Sequence, residues 1–246
     1  MKIAIFIPSR IGSTRLPNKA LAEINGLPMI AHVLRRAIES GIADIFVATD
    51  DIQIKKVVES NGGIAIMTDS NLPSGTDRIY AAMQQITAKF DIIINLQGDM
   101  PNINPKIISE VVNVLKENAD ADISTAVAKI TREDEVVNPN IVKVALAING
   151  EKHPKALYFS RQSIPSHAFK AENQEHWQHL GIYGYRREAI EKFVQLSPSY
   201  LEKIERLEQL RGLENNMKFR ACIVQDVPIS IDTFDDLERI RTVALK

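Results

Sequence analysis

Four short apolar runs set the terms for any fold of this chain: Ile3–Ile7, Ile45–Ala48, Ile64–Met67 and Ile92–Leu96. Each has the length of a buried strand and falls far short of the roughly 20 residues that cross a bilayer. Between them the apolar residues follow helical spacing. Ile30, Val33, Leu34, Ala37 and Ile38 share one face and Gly41 ends that segment; Ile54, Val57 and Val58 mark a shorter helix closed by Gly62-Gly63. Strands that alternate with helices predict a mostly parallel sheet flanked by helices. The strand runs also end in polar clusters: Pro8–Lys19 after the first, Thr49-Asp50-Asp51 after the second and Gln97-Gly98-Asp99 after the fourth, while Ser74-Gly-Thr-Asp77 opens the helix that follows the third. Sheets of this kind bind ligands beyond the carboxyl ends of their strands, so these clusters form one candidate site.

After about residue 120 the pattern changes. Asp122–Lys129, Ile141–Ile148, Ala156–Phe159, Leu180–Tyr185 and a segment near 218–225 read as strands, with Asn149-Gly150 as a hairpin turn. Helices are expected near 187–194, over 200–214 and from Phe234, the last preceded by a short strand, Ile229–Ile231. The second half is therefore a smaller, mixed β insertion that completes a pocket. No Gly/Ser/Pro-rich linker separates the halves, so residues 1–246 read as one domain. The 30 basic and 31 acidic residues leave a net charge of −1, which gives no reason to expect a nucleic-acid or membrane partner. Cys222 is the only cysteine, which rules out an intrachain disulfide and a thiolate-rich metal site. With no signal-peptide pattern at its start, the chain is expected in the cytoplasm.

The residues that could carry chemistry each have a plain structural use as well. The first loop carries Arg10, Ser13, Arg15 and Lys19 but neither the Walker nor the dinucleotide glycine pattern. Its composition suits a solvated basic loop; its place after the first strand suits a triphosphate cradle equally well. Asp99 taken alone caps a turn before Pro101, yet a carboxylate at that place also suits Mg²⁺, which takes one or two carboxylates and phosphate oxygens. Asp232, beside Thr233, reads first as a helix cap and second as the other metal carboxylate. Ser74, Gly75, Thr76, Asp77 and Arg78 open a helix, where Ser74 or Thr76 is a natural cap and Gly75 allows a flat base to approach. Tyr183 and Tyr185 alternate on a strand, the usual sign of same-face packing. His153, His167 and His176 sit in polar stretches and are expected in solvent without a role. Glu205, Glu208 and Arg211 are expected on the solvated face of one long helix.

Together these segments resemble the CMP-Kdo synthetases, which are 3-deoxy-manno-octulosonate cytidylyltransferases. The likeness runs through Ile7-Pro-Ser-Arg-Ile-Gly-Ser-Thr-Arg-Leu-Pro-Asn-Lys19, Val47-Ala-Thr-Asp50, Ser74-Gly-Thr-Asp-Arg78, Asn95-Leu-Gln-Gly-Asp99, Asn138-Pro-Asn-Ile-Val-Lys143, Ala156-Leu-Tyr-Phe-Ser-Arg161, His179-Leu-Gly-Ile-Tyr-Gly-Tyr185, Leu207-Glu-Gln-Leu-Arg211 and Ile231-Asp-Thr233. The resemblance implies an α/β fold of the nucleotide-diphospho-sugar-transferase type, Rossmann-like, with residues about 1–120 serving CTP and about 121–246 serving the sugar and dimerisation. It implies that Arg10 and Lys19, with Ser13 and Arg15 of the same loop, hold the CTP phosphates. The turn Ser74 to Arg78, with Gln97, would face cytosine. Asp99 and Asp232 would bind Mg²⁺, and Gln97, Arg161, His179, Tyr183, Glu208 and Gln209 would surround the sugar acid, Kdo. It further implies a homodimer that serves lipopolysaccharide synthesis. An 8-amino-Kdo or other acid-sugar transferase and a non-catalytic CTP-binding regulator are the competing readings. Three positions depart from the commonest pattern: Asn18 for Gly, Met100 for Glu and Phe234 for Pro. Asn tolerates a left-handed backbone, so the first loop is expected to survive.

Overall fold

The alternation of strand and helix is present from the first strand onward in a computed structural model that describes residues 1–13, 15–42, 44–168 and 174–242. The chain divides into two compact units, Met1–Ser109 with Pro228–Lys246, and Glu110–Val227.

In the first unit, β1 (Ile3–Ser9) leads into a loop and a small hairpin, β2 (Glu23–Ile24) and β3 (Leu27–Pro28). Then come α1 (Met29–Glu39), β4 (Asp44–Thr49), α2 (Ile52–Ser60), β5 (Ile64–Met67), α3 (Gly75–Met83) and β6 (Ile92–Asn95). Four strands lie parallel in the order β6-β1-β4-β5. β1 sits between two neighbours, with Ile5 paired to Ile45 on one side and Ile94 on the other. Ala4 to Ile7 and Ile92 to Ile94 are completely buried, which is why both read as unbroken apolar runs. β5 forms one end of this order, and Ile64 is 56% exposed there. Phe6 stacks on Phe46 with ring centroids 5.1 Å apart, and Phe90 meets Phe6 edge-on at 6.3 Å. Asp51 caps α2 by accepting from the Gln53 and Ile54 amides, so one acid of the second polar cluster is committed to the helix.

Helix α4 (Pro105–Glu117) contains the boundary between the units. The second unit has β7 (Ile123–Lys129), α5 (Glu133–Val137), β8 (Lys143–Leu146), β9 (Ala156–Ser160), β10 (Trp177–Arg186), α6 (Arg187–Phe193), α7 (Tyr200–Glu205), α8 (Leu210–Glu214) and β11 (Phe219–Val224). Here the strand order is β11-β7-β10-β8-β9. β11 is parallel to β7 and every other pair is antiparallel, so the expected mixed sheet and the β8–β9 hairpin are both present. Between His179 and Tyr183, β10 shifts register against β7, with Gly181 at φ 72° inside the shift.

The chain then returns to the first unit and ends in α9 (Phe234–Arg241). Residues 121–246 are expected to act together as the half that serves the sugar and dimerisation. The structure separates residues 228–246 from them because Ile231, Leu237 and Ile240 are buried in one cluster with Leu16, Ile24 and Met29. Two further expectations change. Residues 229–231 form no strand; Ile229 and Ile231 each donate one amide, to Asn102 Oδ1 and to the Asp99 carbonyl, instead of pairing in a ladder. The single helix over 200–214 is two short helices, broken at Arg206, whose left-handed backbone (φ 54°, ψ 48°) cannot continue α7. Among the described residues no helix is long and apolar enough to cross a membrane.

Candidate active site

The loop after β1 is anchored from below. Leu16 is buried in the apolar cluster, and its carbonyl accepts the Lys19 amide at 3.1 Å. Asn18 stands in the left-handed region at φ 55°, ψ 32°, as its substitution for glycine requires, and turns the chain into the single 3₁₀ turn that carries Lys19. Across from it, the turn after β6 places Asp99. Gly98 makes that turn possible, since a Cβ there would lie 2.9 Å from the Pro8 carbonyl oxygen. The Ile231 amide bonds the Asp99 carbonyl at 3.0 Å and so fixes Asp232 next to this turn.

The result is a four-charge cluster. Lys19 Nζ lies 2.9 Å from Asp99 Oδ2 and 3.1 Å from Asp232 Oδ1, and Arg15 Nη2 lies 3.2 Å from the same Asp232 oxygen. Burial works against the charged form of Lys19, but the two carboxylates outweigh it and hold its pKa above the ordinary lysine value. The capping alternatives are now settled by contacts. Thr233, not Asp232, caps α9, in a reciprocal box with Asp236. Asp99 directs its carboxylate at Lys19.

These residues line a cleft of about 320 Å³ together with Arg10, Ser13, Ser74, Gly75, Arg78 and Gln97. The cluster at the start of α3 divides. Ser74 caps the helix, accepting the Asp77 amide at 3.1 Å and donating to Asp77 Oδ2 at 2.7 Å. Thr76 is buried at 1% exposure. Arg78 is also buried, donating to Asp50 Oδ2 at 3.1 Å and Thr68 Oγ1 at 2.7 Å. Asp50 in turn accepts the Ile11 amide at 3.0 Å, so it ties the loop after β1 to Arg78. That role was not read from the sequence, because an acid at a strand end does not announce a partner 28 residues away. Gln97 is held by its Nε2 bond to Asn95 Oδ1 at 2.8 Å.

The donor set fits Mg²⁺. Two carboxylates share one lysine, and among the described residues no group of three or more His, Cys, Asp or Glu side chains is placed to hold a metal. A cage made of protein ligands alone is therefore absent there, whereas a hard cation held by two acids and substrate phosphates suits the pair. Met100 is buried at 5% exposure and packs in the core, so it adds no acid beside Asp99.

The second unit holds the remaining expected residues. Arg161 bonds the Glu205 carbonyl through Nε at 3.0 Å and the Pro139 carbonyl through Nη1 at 3.0 Å. Glu205 is not a solvated acid, because it accepts Ser160 Oγ at 2.7 Å and the Arg161 amide at 2.9 Å. Arg211 is likewise buried, paired with Glu202. Gln209 is buried at 5%, and Glu208 is one of the charges that act on Tyr183. Burial, then Tyr185 and Glu208, hold the Tyr183 phenol far above its ordinary pKa, so it remains a neutral hydroxyl. Tyr183 and Tyr185 lie 6.0 Å apart and are both buried, as same-face packing requires.

His179 is neutral as well, since burial pushes its pKa down to about 3. Its tautomer follows from its neighbour. Thr125 has one hydroxyl proton, which goes to the Ile182 carbonyl at 2.7 Å, so at 2.9 Å Thr125 Oγ1 accepts the proton of His179 Nε2. That leaves His179 Nδ1 as an acceptor. Two other histidines differ from expectation: His153 and His176 are buried at 4% and 7%, bonded to Asn118 Nδ2 and the Ile164 carbonyl. The polar residues around them in sequence gave no sign of this.

A family profile described as Cytidylyltransferase matches residues 4–219. The 3-deoxy-manno-octulosonate cytidylyltransferase of Rhodospirillum rubrum is 42% identical over 97% of this chain and 94% of its own. That of Nitrobacter winogradskyi is 46% identical over 97% of this chain and 92% of its own. Among solved structures, a CMP:2-keto-3-deoxy-manno-octonic acid synthetase complexed with CTP superposes with a TM-score of 0.90 at 39% identity, covering 98% of this chain and 97% of that one. A nucleotidyl transferase from Methanothermobacter, at 13% identity over 97% of this chain and 95% of that one, shares the fold with a TM-score of 0.60.

Proposed function

The chain belongs to the cytidylyltransferase family, among its 3-deoxy-manno-octulosonate members, and from that premise we propose that Asp99 and Asp232 hold the Mg²⁺ at which it works. The reaction is transfer of CMP from CTP to Kdo, giving CMP-Kdo and pyrophosphate. The observation that carries the assignment of residues is the Lys19 ammonium bridging both carboxylates in a cleft that Arg10 and Arg15 also line.

The chemistry asks for little beyond placement and charge. The anomeric hydroxyl of Kdo attacks the α-phosphorus in line, and pyrophosphate leaves, with no covalent attachment to the protein. Arg10, Ser13, Arg15 and Lys19 bind the triphosphate, and Arg10 and Lys19 offset the charge that grows on the departing pyrophosphate. Ser74 and Gly75, with Gln97, face the cytosine edge. Gly75 and Pro8 both line the cleft, and a Cβ at Gly75 would come within 3.3 Å of the Pro8 side chain, so glycine keeps that side of the cleft clear for a flat base. Thr76, Asp77 and Arg78 act behind them, holding the helix start and the cleft floor. When bound, Mg²⁺ supplies neutralisation of phosphate charge and a lowered pKa for the attacking hydroxyl.

In the second unit, Arg161 is the full positive charge offered to the sugar carboxylate. His179 accepts from a sugar hydroxyl through Nδ1, while Tyr183, Glu208 and Gln209 serve the other hydroxyls. We place the reaction in the cytoplasm, in a homodimer, supplying activated Kdo for lipopolysaccharide synthesis. Removal of metal is the experiment. Protein dialysed against EDTA is expected to form no detectable CMP-Kdo, and millimolar Mg²⁺ to restore the full rate. Undiminished synthesis in the chelated protein would end the assignment of Asp99 and Asp232.

A further inference from the structure

Two carboxylates held this close attract any divalent cation that reaches them, and Asp232 is 41% exposed, so the pair is open to solvent. Yet the protein has already matched their charge. Lys19 takes one oxygen of Asp99 at 2.9 Å and one of Asp232 at 3.1 Å, and Arg15 shares the Asp232 oxygen at 3.2 Å. Two negative charges meet two positive ones, so an incoming metal meets a pair whose charge is already matched. The two cations are not equivalent. Arg15 is 64% exposed and touches one acid, whereas Lys19 is 20% exposed and touches both.

We infer that Lys19 is a placeholder cation: in the nucleotide-free protein it closes the Asp99–Asp232 pair against divalent metal, and the arriving triphosphate draws it off and opens the pair. This rests on the reading that these two acids hold the metal. Geometry supports the exchange. The Lys19 backbone is fixed by the Asn18 turn and the bond to the Leu16 carbonyl, while its four-carbon stem is free to re-aim the ammonium. The same ammonium cannot neutralise both acids and a phosphate at full strength, because it carries one charge. Metal therefore enters with the nucleotide or after it, never before, and the free protein is kept from binding the ion unproductively.

The test is Mn²⁺ binding followed by water-proton relaxation enhancement, which separates protein-bound ion from free and nucleotide-bound ion. Wild-type protein without nucleotide is expected to bind Mn²⁺ weakly. Lys19→Met is expected to bind it at least tenfold more tightly, and the gain is expected to vanish in Lys19→Met/Asp99→Asn. Lys19→Gln serves as a second variant, and circular dichroism confirms that each is folded. If both Lys19 variants titrate like wild type while Asp99→Asn alone weakens Mn²⁺ binding in the presence of CTP, the placeholder role is wrong and the metal site stands. If Asp99→Asn leaves Mn²⁺ binding to the CTP complex unchanged, the metal site itself is wrong and the placeholder role falls with it.

Discussion

Asp99→Asn is expected to cut turnover at least about a thousandfold and to leave the protein folded with nearly its full thermal stability. The two halves of that expectation have separate causes. The substitution keeps the size of the side chain and an oxygen that can accept from Lys19, but removes one of the two charges of the proposed metal site. A loss of about 4 kcal/mol of transition-state stabilisation corresponds to roughly a thousandfold in rate. Stability changes little because the contact that fixes the turn is to the Asp99 carbonyl, which the substitution preserves. Lys19 also keeps Asp232, and a partly exposed ion pair contributes about 1 kcal/mol at most. A steady-state assay and a thermal scan on the same preparation check both halves. A variant with kcat within tenfold of wild type would remove Asp99 from the reaction centre.

Arg211→Met is expected to do the opposite, lowering stability by about 3–5 kcal/mol and Tm by about 10 °C. Arg211 grips Glu202 with two bonds, Nε to Oε2 at 2.8 Å and Nη2 to Oε1 at 2.6 Å, and both side chains are largely buried. Its guanidinium also lies 5.3 Å from the centre of the Phe193 ring. Burial opposes the charge on Glu202, and Arg211 with the Ser199 amide overcomes that and lowers its pKa. Methionine fills much of the volume but leaves the acid without its charge partner. The double variant Arg211→Met/Glu202→Gln is expected to regain most of the loss, since the buried charge then goes too. A drop under about 1 kcal/mol in the single variant would mean that Glu202 finds water or another donor.

How much of this was legible beforehand depended on how local each determinant is. β1, β4 and β6 were visible because strands buried on both faces are unbroken apolar runs; β5 matches its expected Ile64–Met67 although it is partly exposed at the end of the order. Helix α4 carries a clear pattern, with Ile107, Ile108, Val111, Val112 and Leu115 all buried, although the expected elements do not include it. The β2–β3 hairpin has strands too short for periodicity. Its one sign was Asn25-Gly26, whose left-handed φ values of 49° and 84° make the turn. The site was legible as residue types: a cationic loop, two aspartates and a helix start. Whether Asp232 capped a helix or faced the cleft was not, because the answer lay in Thr233 and Asp236 taking the capping bonds. The Arg78–Asp50 and Arg211–Glu202 pairs join residues across loops and helix breaks, where no spacing rule applies.

The most direct test is pyrophosphate release from purified protein given CTP, Kdo and Mg²⁺, beside reactions that omit each in turn. Release that requires all three is the expected result. Folded protein that binds CTP yet releases no pyrophosphate with Kdo, or releases it equally well without Kdo, would contradict transfer of CMP to this sugar.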